Sequence, residues 1–259
     1  MKALVVAIGN ELVNAKTQDY NAYWITKRLT SLGVTVMRIV FIPDDIDEIL
    51  DVMDWGYRRK ADLIVLVGGL GPTPGDLTLE AVSKFTNREL KVNEKALSFV
   101  KKRYQELYSL GFVDSPEINE FRLKMAKIPA GSTIIYNDVG VAPGVLLKHE
   151  GSYILALPGV PSEMMYVLEK TIPLLPLEGK KRIFVREERI VFGDESILAK
   201  IFEEIMAKFP KLRIKSYPEG FGKEIHMRII LEYNGDDERE AETVFQKAME
   251  MLQESIKNL

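Results

Sequence analysis

The segment that decides the fold is residues 62–76, with the sequence DLIVLVGGLGPTPGD. Its first part, 62–67, is an aspartate followed by five apolar residues and predicts a strand buried on both faces, as in parallel sheets covered by helices. Four glycines and two prolines follow within nine residues, and they predict a loop of fixed shape that lets the backbone approach a ligand closely. With exposed N–H groups at the start of the next helix, this loop would form a phosphate site.

Strands and helices alternate on the N-terminal side of this segment. We predict strands at 4–8 and 34–42, a helix that opens at Thr17 or Asp19 and ends before Gly33, and a helix at 46–59. Parallel neighbours need long connections, which helices supply with right-handed crossovers. The pattern therefore predicts a doubly wound α/β fold with a mostly parallel sheet.

The C-terminal side begins with helices and continues with short strands. Predicted here are helices at 93–110 and 115–126, strands at 133–136, 144–148 and 153–157, and a helix ending at Leu175. Pro173, Pro176 and Gly179 then mark a boundary between a first domain, 1–175, and a second, 182–259. The second has the order β-α-β-β-α, which predicts a small α+β domain with helices on one face of a mixed sheet.

Composition excludes several classes of protein. Lys and Arg number 35 against 38 Asp and Glu, giving a net charge of −3, so we expect no nucleic-acid partner. There are no cysteines, which rules out disulfides, thiolate catalysis and Cys-type zinc sites. Apolar runs are far shorter than the roughly 20 residues that span a bilayer, so we expect a cytoplasmic protein without a membrane partner. His149 and His226 are expected to be core or surface residues.

Four loops carry polar residues after strands that we predict to be parallel. Their sequences are Gly9-Asn10-Glu11, Asp44-Asp45, the glycine-rich loop from Gly68 to Asp76, and Pro158-Gly159-Val160-Pro161-Ser162-Glu163. Because open α/β sheets bind ligands at the carboxyl ends of their strands, we expect these loops to converge on one crevice. Thr17, Asp19 and Asn21, at the start of the first long helix, would face it.

Each loop also has a purely structural interpretation. Asp76 is suited to coordinating a metal or orienting a water, or to capping the next helix through the N–H of Thr78 or Leu79. Glu11 is a candidate metal ligand or ribose contact, or a solvated residue at a helix start. Asp44 and Asp45 would equally serve as a capping pair, and the glycine-rich loop as a tight turn.

An ordered set of motifs resembles the CinA family. The set comprises Ile8-Gly9-Asn10-Glu11-Leu12, Thr17-x-Asp19-x-Asn21-Ala22, Asp44-Asp45, Gly68-Gly69-Leu70-Gly71-Pro72-Thr73 with Asp76-Leu77-Thr78, residues 137–144, and Leu157-Pro158-Gly159-Val160-Pro161-x-Glu163-Met164. The resemblance covers about residues 1–175 and implies the MogA/MoeA-like molybdopterin-binding fold. The tail, 182–259, resembles the KH-type subdomain of that family. We therefore expect a stand-alone form without the nicotinamide-nucleotide amidohydrolase domain of bacterial CinA.

The resemblance implies a metal-dependent hydrolase that splits ADP-ribose, or a related nucleotide diphosphate, into AMP and ribose 5-phosphate, and that acts as a homodimer. The implied catalytic residues are Asp76 and Glu11. The implied substrate contacts are Gly68, Gly69, Gly71, Thr73, Asp19, Asn21, Asp44, Gly159 and Pro161. The implied metal ligands are Asp76, Glu11 and Asp44, with Mg²⁺, Mn²⁺, Co²⁺ or Ni²⁺ as the ion and K⁺ as a further candidate.

Three positions depart from the family pattern. Asn10 stands where the family usually has Asp, Asn14 where Gly is common, and Gly75 where the loop often has a second Asp. Loss of two carboxylates would weaken metal binding or remove a catalytic group. The alternatives are therefore a binding protein that recognises molybdopterin or a nucleotide without turnover, and an enzyme of molybdenum-cofactor biosynthesis that transfers an adenylyl group or molybdate.

Overall fold

A computed structural model describes residues 1–177, 182–220 and 225–258 of the chain. The chain divides into two compact units, of which the first comprises Met1–Leu29 and Val34–Leu177. Of the segment that the sequence predicts as the boundary between the domains 1–175 and 182–259, residues 178–181 lie outside the described residues. Within the described residues, no helix is long and apolar enough to cross a bilayer.

The first unit contains two sheets and seven helices among its described residues. Its strands are β1 (Lys2–Ile8), β2 (Thr35–Ile42), β3 (Leu63–Val67), β4 (Leu90–Val92), β5 (Lys127–Pro129), β6 (Thr133–Ile135), β7 (Gly144–His149) and β8 (Ser152–Leu157). Its helices are α1 (Asn10–Val13), α2 (Asn21–Ser31), α3 (Ile46–Arg58), α4 (Thr78–Thr86), α5 (Glu94–Ser109), α6 (Glu120–Lys124) and α7 (Pro161–Thr171), with a 3₁₀ turn at Ile172–Leu174.

The main sheet has the strand order β2-β1-β3-β8-β7-β6. The first four strands are parallel neighbours, whereas β7 and β6 join antiparallel. All five residues of β3 are buried, as its continuous apolar sequence predicts, because helices cover both faces. Ile25 of α2 packs on one face and Met53 of α3 on the other. The predicted doubly wound, mostly parallel sheet is therefore confirmed.

One predicted helix of the first unit is wrong. The sequence predicts a helix at 115–126, but α6 begins only after Asn119, whose side chain accepts from Arg122 N. Arg122 Nη1 donates to the carbonyls of Ser115 and Glu117 at 2.6 and 2.8 Å. In a longer helix these two carbonyls would accept hydrogen bonds from backbone N–H groups, but here they accept from the Arg122 side chain. The short elements α1, β4 and β5 also went unpredicted, because three or four residues carry too little periodicity.

The second unit has the predicted order β-α-β-β-α. Its elements are β9 (Arg182–Val191), α8 (Glu195–Lys208), β10 (Leu212–Pro218), β11 (His226–Gly235) and α9 (Glu238–Lys257). Both helices pack against the same face of the sheet through Phe202 and Phe245. The sequence predicts a mixed sheet, and this part of the prediction is wrong, because the strands are antiparallel throughout. Its order is β10-β11-β9, so the two strands joined by α8 are not neighbours and both pair antiparallel with β11.

Close packing of α7 on β7 requires a glycine at position 144. A Cβ atom there would lie 2.2 Å from Val167 Cγ1, and Val167 is fully buried. We predict that Gly144→Ala lowers the free energy of unfolding by about 1–3 kcal/mol through overpacking. Urea unfolding of Gly144→Ala, Val167→Ala and the double variant measures this, because removing the valine methyls should make the two effects non-additive.

The control for this prediction is Gly75→Ala, since a Cβ at Gly75 would have Thr73 Oγ1, 3.9 Å away, as its nearest contact. That variant should unfold like the wild type. Strictly additive losses in the double variant would show that the contact between position 144 and Val167 does not limit packing.

Candidate functional site

The four polar loops of the first unit line one cleft. They leave the carboxyl ends of β1, β2, β3 and β8, which are parallel neighbours, so they emerge at one edge of the sheet. The cleft has a volume of about 890 Å³, and its lining includes Glu11, Asp44, Gly69, Asp76 and Gly159. The convergence that the sequence predicts is therefore present in the structure.

The glycine-rich loop is tied to the strands and helix around it. Gly68 and Gly69 have φ values of +106° and +66°, which other residues adopt with strain. A Cβ on Gly68 would lie 2.4 Å from Ile8 O, and one on Gly69 would lie 2.4 Å from Thr78 Oγ1. The buried Thr78 hydroxyl donates to Gly68 O at 2.7 Å. The loop thus has the fixed shape that its sequence predicts.

Asp76 closes the loop rather than capping the next helix. Its Oδ2 accepts hydrogen bonds from Thr73 N at 2.7 Å and from Thr73 Oγ1 at 2.6 Å. Capping through the N–H of Thr78 or Leu79 is therefore wrong, because the carboxylate points back to Thr73. Lys124 Nζ donates to Thr73 O, and this hydrogen bond stabilises the same turn.

Glu11 and Asp44 both face the cleft, but they do so differently. Asp44 Oδ2 accepts from Asn10 N at 2.9 Å, which joins the loops after β1 and β2. Its neighbour Asp45 caps α3 by accepting from Asp47 N and Glu48 N, so the capping interpretation holds for Asp45 and not for Asp44. Glu11 is exposed in the first turn of α1.

The carboxylates of Glu11, Asp44 and Asp76 do not form an assembled metal centre. Among the described residues, no three His, Asp or Glu side chains are grouped so that they could hold one ion. Asp44 and Asp76 already accept backbone N–H donors. A divalent ion at these three residues stays a prediction.

Some of the remaining predicted substrate contacts line the cleft, and the others lie at the start of α2. Gly68, Gly71, Thr73 and Pro161 line the cleft. Asp19 instead caps α2, because its Oδ2 accepts from Ala22 N at 2.9 Å. The side-chain Nδ2 of Asn21 donates to the backbone oxygen of Gly159 at 2.6 Å. Asn21 is thereby joined to Gly159, which lines the cleft.

Side-chain caps are common at the helix starts of this chain but are missing from α4 and α7. Within the described residues, six helices begin with a side-chain cap, supplied by Asp19, Asp45, Asn93, Asn119, Asp194 and Asp237. The longer helices that begin at the cleft, α4 and α7, have Leu77 and Val160 at the N-cap and no side-chain cap. In α4 the first N–H, that of Thr78, already donates to Gly69 O at 3.3 Å. At the start of α7 the N–H groups of Ser162 and Glu163 have no acceptor among the described residues, so they and the positive end of the helix dipole remain available to a ligand.

A buried polar network on the cleft wall was not predicted from the sequence as part of the site. Glu163 Oε2 accepts from Asn137 Nδ2 at 2.6 Å, and Asn137 is fully buried. Arg103 Nε donates to Gly140 O at 2.7 Å nearby. Burial raises the pKa of the Glu163 carboxyl, and the Asn137 hydrogen bond and the Arg103 charge offset part of that rise. Asn137 and Glu163 lie in two different motifs of the quoted set and Arg103 lies in α5, so their meeting depends on contacts distant in sequence.

Comparison with known proteins assigns the first unit. A family model described as "Probable molybdopterin binding domain" matches residues 4–177. The chain belongs to this family. The match ends where the first unit ends, so the molybdopterin-binding-type domain and the unit that carries the cleft are the same part of the chain.

Relatives of this molybdopterin-binding-domain protein extend over its whole length. A protein of Pyrococcus abyssi is 41% identical over 253 residues, 98% of this chain and 96% of its own. One of Thermococcus kodakarensis is 41% identical over 242 residues, 93% and 95% of the two chains. The crystal structure of CinA, of unknown function, from Thermoplasma acidophilum matches with a TM-score of 0.61 and 36% identity, covering 67% of this chain and 98% of that one. The resemblance to CinA is thereby confirmed.

Glu163 should give the protein a specific pH dependence. A carboxyl whose pKa is raised in the folded state binds more protons folded than unfolded, so its contribution to stability falls as pH rises above the ordinary value of 4.5. We predict that Glu163→Gln, which still accepts from Asn137, gains stability relative to the wild type as pH increases through that window. Urea unfolding from pH 4 to 8 measures the difference, and a difference independent of pH would contradict the prediction.

Proposed function

We propose that the cleft binds a phosphorylated ligand of the molybdopterin type, with its phosphate held by backbone N–H groups of the glycine-rich loop and of the first turn of α7. The observation that carries this proposal is the absence of a side-chain cap from α7, whereas α3, α5, α6, α8 and α9 each begin with one. Helix N-termini without caps are ready anion sites. The family description supplies the class of ligand.

Backbone donors are available at both sides of the cleft. Within the described residues, the N–H groups of Gly69, Leu70 and Gly71 have no protein acceptor, whereas that of Gly68 donates to Leu157 O at 3.0 Å. In α7 the first hydrogen bond of the helix runs from Met164 N to Val160 O. The N–H groups that precede it in the first turn are therefore open to a ligand.

Electrostatics favour a cation bound together with the phosphate. The charged side chains that line the cleft are Glu11, Asp44, Asp76 and Glu163, all of them acidic. A phosphate brought into this cleft would be repelled by the carboxylates unless a divalent ion accompanied it. This supports the predicted ion at Glu11, Asp44 and Asp76 as one that arrives with the ligand, and it makes binding metal-dependent.

Hydrolysis of ADP-ribose is the finer and separate hypothesis. Asp76 lies beside the proposed phosphate site and would orient a water, but its carboxylate is already engaged by Thr73. The family description instead favours the alternative, a molybdopterin- or nucleotide-binding protein or an enzyme of molybdenum-cofactor biosynthesis. The homodimer and the cytoplasmic location also stay predictions.

Restoring a cap to α7 tests the proposal. Val160 is half exposed, at 52%, and its backbone has the extended conformation of an N-cap. We predict that Val160→Ser stabilises the protein by about 1 kcal/mol and weakens binding of inorganic pyrophosphate. Val160→Asp should weaken it further, by about tenfold, because the added carboxylate also cancels the helix dipole. Isothermal titration with and without Mg²⁺ measures both affinities.

The matched controls are Val139→Ser and Val139→Asp. Val139 also lines the cleft and is 47% exposed, but it does not precede a helix. If position 139 affects pyrophosphate binding as much as position 160, charge alone and not the helix terminus explains the result. Unchanged affinity in Val160→Asp would contradict the proposal.

An incubation with ADP-ribose separates binding from hydrolysis. The wild type and Asp76→Asn are incubated with ADP-ribose and each of Mg²⁺, Mn²⁺, Co²⁺ and Ni²⁺, with and without K⁺, and AMP is followed by chromatography. AMP that forms with the wild type and fails to form with Asp76→Asn would establish the hydrolase. Binding of a phosphorylated pterin without AMP release from ADP-ribose would support the binding function.

A further inference from the structure

The cleft wall holds a carboxylate that phosphate binding does not use. Glu163, the third residue of α7, lies with its carboxyl group flat against the backbone of Gly140. A Cβ atom at Gly140 would come within 2.0 Å of Glu163 Cδ. The absence of a side chain at position 140 therefore creates the place in which this carboxylate sits.

Asn137 fixes the carboxylate as a hydrogen-bond acceptor. Its Nδ2 donates to Ala142 O at 3.0 Å as well as to Glu163 Oε2, and its Oδ1 accepts from Gly140 N at 3.0 Å. With both ends of the amide engaged, the amide cannot flip. Glu163 thus always meets an N–H of Asn137.

The carboxylate has acceptor capacity left over. An ionised carboxylate offers about four acceptor sites, and within the described residues Asn137 supplies the one hydrogen bond that Glu163 accepts. Its raised pKa has burial as the main cause, as expected of a carboxylate that lacks donors. N–H donors of a ligand would supply the hydrogen bonds that the protein does not provide to this carboxylate.

The surroundings suit a flat ring. Apolar side chains line the same cleft as Glu163. They are Tyr104, Leu107, Met125, Val139 and Val141. An apolar wall with one well-placed polar group is the usual composition of a site for a heterocycle.

We propose that Glu163 is the specificity-determining residue for the ring of the ligand, and that it selects a heterocycle presenting two adjacent N–H donors, the 2-amino-4-oxo edge of pterin and guanine. A carboxylate accepts both N–H groups of such an edge with its two oxygens. Adenine presents one donor beside one acceptor, so it pairs with a single oxygen and leaves its ring nitrogen facing a carboxylate. This inference rests on the proposed phosphate site, in which the N–H groups of Gly69, Leu70 and Gly71 would hold the other end of the ligand.

Two variants test it by different means. Glu163→Gln keeps the shape and the bond from Asn137 but turns an NH₂ group toward the ring. Gly140→Ala keeps the charge but displaces the carboxyl group. Glu169→Gln is the control, because it makes the same change on α7 at a residue that pairs with Arg28 and does not line the cleft. Affinities for 6-hydroxymethylpterin phosphate, GMP, AMP and ribose 5-phosphate are measured by titration with Mg²⁺.

The wild type and Glu169→Gln should prefer the pterin phosphate and GMP over AMP by about tenfold. Glu163→Gln and Gly140→Ala should lose most of that preference while keeping their affinity for ribose 5-phosphate. Preference retained in both variants, or absent from a wild type that binds ribose 5-phosphate, would overturn the inference and leave the phosphate site standing. Failure of the wild type to bind any of the four ligands would overturn the proposed function together with it. Thermal unfolding of each variant establishes that it is folded.

Discussion

Parallel pairing of β2, β1, β3 and β8 is the constraint on which the rest of the first unit depends. Because the four strands point the same way, the loops that follow them emerge at one edge and share one cleft. Parallel pairing in turn requires a crossover after each strand, and the helices that provide it begin beside the cleft. The position of the glycine-rich loop, of Asp44 and of the α7 terminus follows from this arrangement.

Helix starts and backbone conformations that are locally unfavourable are found at the cleft. A side-chain cap contributes about 1 kcal/mol to a helix, and the chain supplies one at helices elsewhere, with Asn93 and Asp194 as examples. Leu77 and Val160 occupy the corresponding positions of α4 and α7. Gly68 and Gly69 add the left-handed backbone that brings unpaired N–H groups to the same place. Departures from favourable local structure tend to gather at functional sites, and here they gather at one.

Much of this could be predicted from the sequence, and the remainder had physical reasons to be missed. The buried strands and the convergence of the loops followed from continuous apolar runs and from glycine and proline punctuation. The bond of Asp76 to Thr73 was missed because an aspartate before a helix resembles a cap. Asp44 and Asp45 are equivalent in sequence, and only the fold separates the one that caps α3 from the one that faces the cleft. Glu163 and Asn137 meet across 26 positions, which no local pattern reveals.

The most direct test of the account is the response of backbone amides to a phosphate ligand. Amide ¹H–¹⁵N chemical shifts of the full chain would be followed during titration with inorganic pyrophosphate and Mg²⁺. The account predicts the largest changes at Gly69, Leu70 and Gly71 and in the first turn of α7. Changes confined to the lysines and arginines of the second unit, with these amides unmoved, would contradict it.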